Sequence, residues 1–382
     1  MGDCSIIYWC EKSKERSARW RSEKNLPSPK RVQVVDDHIT ADTAFRLACE
    51  GTALLWRGDF QNARQLLQAL ARRIDKKLLI RNAKKTVGSP AETFHQHRQT
   101  QSQRARTLGS LLIPFNADHS IPLRRAPDVR LACFDAYGSS AEAYIASLRE
   151  LQGLIGAYEW RKKGIEIPTL GARIHPHYGV FAPIRSEYVI LVAEAPLPEL
   201  ITTQSSAFDI GTGTGILAAV LARRGIQHIV ATDQDLRALD CARENLTRLN
   251  LENRIDVVQA NLFPEGRAAL IVCNPPWIPA RPSSPLEHAI FDPDSRMLRG
   301  FLQGLSAHLA PGGEGWLILS DFAEHLGLRT RDELLAAIDA ADLKVLSKID
   351  IKPHHPRVSD TNDPLHVARA AELTSLWRLT TK

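Results

Sequence analysis

The sequence predicts an α/β protein in which a largely parallel sheet, with helices on both faces, follows a mostly helical N-terminal region. Three observations support this prediction. Short apolar strands alternate with amphipathic helices from residue 207 onward. A loop at 209–215, reading Asp-Ile-Gly-Thr-Gly-Thr-Gly, separates the first of those strands from a helix. The next strand ends at Asp233, 18 residues past Gly215, where an acid can bind both hydroxyls of a ribose.

The N-terminal part of the chain is interpreted as a tail and a helical domain. Residues 1–30 alternate charged residues with serines and end in Pro-Ser-Pro, which is typical of a mobile tail. Residues 31–164 are predicted to be mostly helical, with one helix over 40–55 and a second over 59–80 that Asp59 caps. We expect this domain to recognise the substrate.

The remaining residues, 165–382, are predicted to form the α/β domain. Its predicted strands lie at 207–210, 228–232, 254–259, 269–273 and 315–320, and its helices at 215–224, 235–249 and 295–310. Two later strands, at 343–351 and 373–379, suit an antiparallel hairpin that brings the sheet to seven strands.

Composition limits the classes of function. No apolar run reaches the length of about 18 residues that a transmembrane helix needs, so no membrane partner is expected. The N-terminus lacks the apolar core of a signal peptide. The six cysteines form no Cys-x-x-Cys pair, which favours buried reduced thiols in a cytoplasmic protein and no metal site.

Charge is unevenly distributed along the chain, whose net charge is +6. Between Gln61 and Ser110 there are eleven Lys or Arg residues and two acids. Such a segment favours an anionic partner such as nucleic acid. A solvated helix face explains the same charges equally well.

The glycine loop departs from a dinucleotide-binding loop, because Ile216 occupies the position of the last glycine. Its pattern, Asp-x-Gly-x-Gly-x-Gly, resembles the first motif of class I S-adenosylmethionine-dependent methyltransferases. About 60 residues later, Asn274-Pro275-Pro276-Trp277 resembles the Asn-Pro-Pro-aromatic motif of the N-methyltransferases in the release-factor and small-domain group. The resemblance implies a Rossmann-like, seven-stranded class I methyltransferase domain that uses S-adenosylmethionine.

The resemblance also assigns the cofactor-binding residues around the glycine loop. Asp209 is expected to order the loop and to reach the methionyl amine through water. Gly211, Gly213 and Gly215 let the backbone pass beneath the methionyl and ribose parts of the cofactor, where a side chain would clash. Asp233 is expected to accept hydrogen bonds from both ribose hydroxyls.

The adenine end of the cofactor is assigned to the third strand. Asn261 stands where relatives often have Asp, and its carbonyl can accept a hydrogen bond from the adenine amino group. Leu262 or Phe263 is expected to pack on the adenine face.

The Asn-Pro-Pro-Trp motif is predicted to carry the reaction. In the family, the Asn side-chain oxygen and the first proline carbonyl, here Asn274 and Pro275, accept hydrogen bonds from the nitrogen that is methylated. Pro275 and Pro276 hold the loop rigid because proline restricts φ. Trp277 is expected to stack on a planar target, an interaction worth about 1–3 kcal/mol for a base.

Several functions remain open at this point. The basic segment and Trp277 favour an exocyclic amine of a nucleic-acid base, in RNA rather than DNA. The run 183–187, Pro-x-Arg-x-Glu, resembles the lead-in of release-factor glutamine methyltransferases and favours a protein glutamine amide. A non-catalytic cofactor-binding interaction protein is a third alternative. A dinucleotide-dependent oxidoreductase is disfavoured by Ile216.

Overall fold

The computed structural model describes residues 5–82, 88–282, 285–354 and 360–382. The chain divides into two compact units: Met1–Gly88 with His95–Glu159, and Ser89–Phe94 with Trp160–Lys382. The division at 159/160 lies five residues before the predicted start of the α/β domain. The short segment Ser89–Phe94 groups with the second unit rather than the first.

The elements up to residue 163 form a mixed sheet flanked by helices. In order they are β1 (Ile6–Glu11), β2 (Lys14–Trp20), β3 (Val32–Val35), α1 (Ala41–Cys49), β4 (Ala53–Trp56), α2 (Phe60–Asn82), α3 (Pro90–Gly109), β5 (Leu111–Phe115), α4 (Arg130–Tyr137), β6 (Tyr144–Ser147) and α5 (Leu148–Lys163). The six strands are arranged in the order β1-β2-β6-β5-β4-β3.

The prediction of a mobile tail over residues 1–30 is wrong for residues 6–20, and residues 1–4 lie outside the described part of the chain. β1 and β2 form an antiparallel hairpin, and Trp20 of β2 pairs with Ile145 of β6. Ile7 and Trp20 are buried, while the charged residues between them are mostly exposed. The pairs Ile7–Ala18 and Trp9–Arg16 show that one face of the hairpin carries both kinds of residue. Its apolar end packs with Trp20 in a buried cluster, and the charged pair Glu11–Lys14 lies at the turn.

The prediction of a mostly helical N-terminal domain is incomplete. Helices do hold most of residues 31–164, and Asp59 does cap α2 by accepting a hydrogen bond from Gln61 N (2.9 Å). However, α1 ends at Cys49, and the residues predicted to extend it form β4. β4 consists entirely of buried apolar residues, and such a short run has no periodicity that separates a strand from a helix.

The second unit contains the predicted seven-stranded sheet. Its elements are β7 (Ile165–Ile167), β8 (Ala172–Ile174), α6 (Glu187–Glu194), β9 (Ser206–Ile210), α7 (Ile216–Arg223), β10 (His228–Asp233), α8 (Leu236–Arg248), β11 (Ile255–Gln259), β12 (Ala268–Cys273), α9 (Arg296–His308), β13 (Leu309–Ser320), α10 (Phe322–His325), α11 (Arg331–Ala340), β14 (Leu343–Ile351), α12 (His366–Ala371) and β15 (Thr374–Thr381).

The strand order in this sheet is β11-β10-β9-β12-β13-β15-β14. The first five strands are parallel, and β15 is antiparallel to both of its neighbours. Side chains that alternate along the strands enter two apolar clusters, one packed with α6, α7 and α8 and the other with α9 and α11. The predicted fold class, a Rossmann-like sheet covered on both faces, is confirmed.

The described residues include neither a membrane-spanning helix nor a cluster of metal ligands. None of the helices there is both long and apolar enough to cross a membrane. No group of three or more His, Cys, Asp or Glu residues is arranged to hold a metal ion. Of the cysteines, Cys133, Cys241 and Cys273 are buried as expected, whereas Cys10 and Cys49 are exposed.

Candidate active site

Parallel pairing brings the two sequence motifs to one edge of the sheet. In the β9–β10 register Ile210 lies opposite Thr232, and in the β9–β12 register Ile210 lies opposite Cys273. The glycine loop, Asp233 and the loop that starts at Asn274 therefore leave the sheet at the same level. This carboxyl edge is where open α/β sheets bind their ligands.

The start of the glycine loop is attached to the neighbouring strand. The backbone N–H groups of Gly211 and Thr212 both donate to the Thr232 carbonyl, at 2.9 and 2.8 Å. A Cβ added to Gly211 would lie 2.6 Å from Met297 Cε, so α9 covers this part of the loop closely. The loop is thus held between β10 and α9.

Gly213 and Gly215 serve different purposes, although both have positive φ angles, 55° and 80°. A Cβ at Gly215 would lie 3.3 Å from the Ala242 backbone, so this glycine allows α8 to approach closely. A Cβ at Gly213 would meet nothing within 4 Å. The space beside Gly213 is therefore open to a ligand.

Asp209 is fully buried at the end of β9. Its Oδ2 accepts hydrogen bonds from Thr212 Oγ1 (2.7 Å) and Ala218 N (3.0 Å), which ties together the two ends of the loop. Its Oδ1 has no hydrogen-bond partner within the described residues. Burial raises the pKa of Asp209 to about 6. An unpaired carboxylate oxygen at this place fits the predicted contact with the cofactor amine or its bound water.

We expect the stability of the protein to depend on pH through Asp209. Its folded-state pKa is raised from 3.8 to about 6, so the folded state binds this proton more tightly than the unfolded state. The contribution therefore stabilises the protein as the pH falls through about 6, and it is fully present only below the unfolded-state pKa of 3.8, where it amounts to about 3 kcal/mol.

The variant Asp209→Asn has no ionisable carboxyl group at this position, so its stability lacks this pH dependence. Urea denaturation should show that the stability of the variant relative to the wild type is greater at about pH 7 than at about pH 4.5. Asp256→Asn, which changes an exposed acid of β11, is the matched control and should show no such change. Equal pH dependence in the wild type and Asp209→Asn would contradict the assignment.

Asp233 is half-buried at the end of β10. Its Oδ2 accepts a hydrogen bond from Gly213 N (3.1 Å), and its Oδ1 accepts one from Asp235 N (3.0 Å). Burial raises the pKa of this carboxyl group, and the two backbone donors act in the opposite direction. Each oxygen can accept more than one hydrogen bond, so both can also accept from ribose hydroxyls.

The residues predicted for the adenine end lie in the loop after β11. Asn261 is exposed. Leu262 has a φ of 74°, unusual for a residue other than glycine, and its carbonyl accepts a hydrogen bond from Thr232 Oγ1 (2.6 Å). Phe263 stacks on His308 of α9, with ring centroids 4.4 Å apart. Leu262 also lies against α9, because a Cβ added at Gly300 would be 2.7 Å from Leu262 Cδ1. The assignment of Leu262 or Phe263 to the adenine face therefore stays a prediction.

The Asn-Pro-Pro-Trp loop is held by a hydrogen bond within the motif. Trp277 Nε1 donates to Asn274 Oδ1 at 2.9 Å. Because an indole N–H can only donate, this bond also establishes which end of the Asn274 amide carries the oxygen. Asn274 is half-buried and Pro275 is buried. The side-chain oxygen that the motif resemblance assigns to the reaction is therefore held in one orientation by the protein itself.

Arg185 is a site residue whose role the sequence analysis did not assign. Its guanidinium carbon lies 5.2 Å from the centroid of the Trp277 ring. It also donates hydrogen bonds to Glu187 and Glu372, both of which are buried. The Trp277 ring thus has a cation beside it, and it also packs against buried apolar residues of three clusters. Its stacking on a planar target stays a prediction. The Pro-x-Arg-x-Glu run pointed to Arg185 and Glu187, whereas nothing pointed to Glu372.

These features fit S-adenosylmethionine. The fit rests on the open space beside Gly213, the unpaired oxygen of Asp209 and the half-buried carboxylate of Asp233. A cavity of about 870 Å³ lies elsewhere, in the first unit, between residues of β1 and β3. It contains none of the predicted site residues, so cavity size alone does not identify the site.

Comparison with known proteins supports the motif assignment. Residues 172–331 match the family model described as "Methyltransferase small domain", which confirms the resemblance inferred from the two motifs. The ribosomal protein L11 methyltransferase of Clostridium perfringens (strain SM101 / Type A) is 40% identical over 80 residues, 20% of this chain and 25% of the relative. The release factor glutamine methyltransferase of Cereibacter sphaeroides is 34% identical over 172 residues, 41% of this chain and 59% of the relative.

The chain thus spans less than two thirds of the length of these relatives. Among solved structures, a methyltransferase from Pyrococcus furiosus has a TM-score of 0.40 and 20% identity, and the match covers 60% of this chain and 98% of that one. A ribosomal protein L11 methylase from Lactobacillus delbrueckii subsp. bulgaricus has a TM-score of 0.35 and 19% identity, covering 52% of this chain and 79% of that one.

Proposed function

Because residues 172–331 match a methyltransferase small domain, we propose that the protein is an S-adenosylmethionine-dependent N-methyltransferase that modifies a protein, at a glutamine side-chain amide. The observation that carries the proposal is the Asn-Pro-Pro-Trp loop, which leaves the sheet beside the glycine loop with the Asn274 oxygen already oriented. Of the two curated relatives described, the one that aligns over more residues, 172, is named a release factor glutamine methyltransferase.

The chemistry explains why these groups are needed. An amide nitrogen is a poor nucleophile because its lone pair is delocalised into the carbonyl group. Asn274 Oδ1, which can accept a second hydrogen bond besides that from Trp277, and the Pro275 carbonyl are the proposed acceptors for its two N–H groups. Two fixed acceptors favour the pyramidal nitrogen of the transition state, and they act most strongly where water is excluded. S-adenosylmethionine supplies the electrophilic methyl group when it is bound.

A nucleic-acid base is now the less favoured acceptor. The relatives named above are a ribosomal protein methyltransferase and a release factor methyltransferase. Part of the basic segment is also neutralised: Arg73 pairs with Asp42 and Arg104 pairs with Asp75, each at 2.8 Å. Residues 83–87 of that segment lie outside the described residues.

The test uses purified protein and S-adenosylmethionine with a radiolabelled methyl group. Both are incubated with an extract of cells that lack the gene, and the product is divided between nuclease and protease treatment. We expect the macromolecular label to be lost with protease and kept with nuclease. Acid hydrolysis of the labelled protein should release the label as volatile methylamine, since an N-methyl amide is cleaved there and an N-methyl amine is not.

The outcomes separate the alternatives. Label that is lost only with nuclease would replace the protein acceptor with a nucleic acid and would direct attention to the segment 61–110. Label that stays with an amino acid after acid hydrolysis would overturn the glutamine assignment. No labelled product, together with measurable binding of S-adenosylmethionine, would favour the non-catalytic interaction protein. Extract incubated with Asn274→Ala protein provides the background.

A further inference from the structure

Arg329 carries a buried guanidinium group with donors that are not used. The residue is 8% exposed, and its Nε and Nη2 atoms have no hydrogen-bond partner within the part of the chain that the structure describes. Burial also lowers the pKa of this side chain. Buried donors without an acceptor cost free energy, so such a group is usually paired or held ready for a ligand.

The three acids whose charges act on Arg329 accept hydrogen bonds from other residues. Glu324 accepts two hydrogen bonds from Arg331 Nε, at 2.9 and 3.0 Å. Glu333 closes the capping box at the start of α11. Asp292 accepts hydrogen bonds from the first backbone N–H groups of α9, at 2.9–3.1 Å. These acids offset part of the charge of Arg329, but they do not accept hydrogen bonds from its Nε and Nη2 atoms.

Arg329 lies near the candidate active site. It follows the carboxyl end of β13, the strand next to β12. Leu328, the residue before Arg329, packs in one apolar cluster with Trp277 and Ile278. The Ile278 carbonyl also accepts a hydrogen bond from the backbone N–H of Asp292 (2.8 Å). Arg329 is thus on the side of the site where the Asn-Pro-Pro-Trp loop lies.

We propose that Arg329 binds a carboxylate group of the methyl acceptor through Nε and Nη2. These two atoms form one edge of the guanidinium plane, the arrangement that binds the two oxygens of a carboxylate in parallel. The inference rests on the proposed function, because it takes the ligand to be the molecule that is methylated. It adds that the site recognises an acidic group close to the target nitrogen.

The surroundings favour a carboxylate over the phosphates of a nucleic acid. Arg329 provides a single buried edge, whereas the carboxylates of Asp292, Glu324 and Glu333 act on it from nearby. A strand with repeated phosphates would bring several negative charges to this acidic neighbourhood. A single carboxylate adds only one negative charge and can use both free donors of the Arg329 edge.

The test observes the Arg329 side chain directly. In full-length ¹⁵N-labelled protein saturated with S-adenosylhomocysteine, the Nε–H signal of Arg329 is identified by its absence from Arg329→Lys. Two probes are compared: N-acetyl-L-glutamine, which has a carboxylate, and N-acetyl-L-glutaminamide, which is neutral. We expect the acid to move the Arg329 signal and to bind about 10- to 100-fold more weakly to Arg329→Lys, the loss expected for hydrogen bonds to a charged group. The neutral N-acetyl-L-glutaminamide should not move the Arg329 signal and should bind equally to the wild type and to Arg329→Lys.

Arg299→Lys, which changes an exposed arginine of α9, is the matched control and should bind both probes as the wild type does. If the acid moves none of the arginine Nε–H signals, or if both probes move them equally, the proposal is overturned, and this outcome can be read without a folded Arg329→Lys protein. A shift with S-adenosylhomocysteine but not with 5′-methylthioadenosine would assign the carboxylate to the cofactor instead. A shift with inorganic phosphate alone would favour a nucleic acid.

The same measurement separates this inference from the proposed function. The probe titrations need no methyl transfer, so they remain informative if the labelled extract shows no protein product. If protein methylation is found but N-acetyl-L-glutamine does not shift the Arg329 signal, only the proposal that Arg329 binds a carboxylate fails. With both established, Arg329→Lys should raise KM for the protein substrate and leave kcat unchanged, as expected for an interaction made equally before and during the reaction.

Discussion

Replacing Asn274 by alanine should reduce kcat for methyl transfer by about 100- to 1,000-fold, the usual loss when one preorganised polar group is removed from a transition state. Affinity for S-adenosylmethionine should not change, because Asn274 is assigned to the acceptor nitrogen and not to the cofactor. Single-turnover transfer of labelled methyl groups and calorimetric titration with S-adenosylhomocysteine measure the two properties separately. Retained transfer would remove the Asn-Pro-Pro-Trp loop from the mechanism.

Trp277→Phe is the matched control for the orientation of Asn274. It keeps an aromatic ring but loses the indole N–H that donates to Asn274 Oδ1. We expect a smaller loss of rate, about 5- to 10-fold, since the acceptor remains and only its positioning hydrogen bond is removed. A loss as large as that of Asn274→Ala would mean that Trp277 contributes more than this bond.

Replacing Gly213 by alanine should weaken cofactor binding by about 10- to 100-fold, which corresponds to the cost of forcing an extra methyl group into a filled site. The added Cβ meets no protein atom within 4 Å, so it enters the space assigned to the ligand. Its positive φ of 55° adds a folding cost of about 1–2 kcal/mol, which has to be separated from the effect on binding.

The variant Gly171→Ala separates the folding cost of a positive φ from the effect on cofactor binding. Gly171 also has a positive φ, 60°, and also has nothing within 4 Å of an added Cβ, but it lies outside the predicted site. Both variants should lower the melting temperature by a similar amount, and only Gly213→Ala should lose affinity for S-adenosylhomocysteine. Equal affinity in the two variants would show that the cofactor does not occupy the space beside Gly213.

The α/β domain is the part that the sequence predicted in detail. β9, β10, β11 and β12 begin and end within one residue of their predicted limits. Their apolar runs are short and bounded by turn residues, so local pattern is enough to identify them. β13 is the exception, because it begins at Leu309 rather than 315. Its Pro311-Gly312-Gly313 stretch lies in a bulge, because β13 advances from Leu309 to Glu314 while β12 advances only from Ala268 to Leu270.

The N-terminal sheet could not be predicted in the same way. β2 pairs with β6, and Trp20 meets Ile145 across more than a hundred residues of chain. Nothing in the sequence near Trp20 identifies Ile145 as its pairing partner. The many charges of β1 and β2 are instead typical of a disordered segment. Pairing between distant segments buries one face of the hairpin, and this burial outweighs the local composition.

The candidate site also has some parts that local sequence identifies and others that only the tertiary structure decides. The glycine loop can be located from local sequence, because its three positive φ angles require glycine at fixed spacing. Asp233 and the Asn-Pro-Pro-Trp loop can also be located locally, because each directly follows or ends a short apolar strand. The pairing of Arg185 with Glu372 and the unused edge of Arg329 depend on segments that are far apart in the chain. Only the tertiary structure decides them, since burial and the choice of a polar partner arise when distant segments pack together.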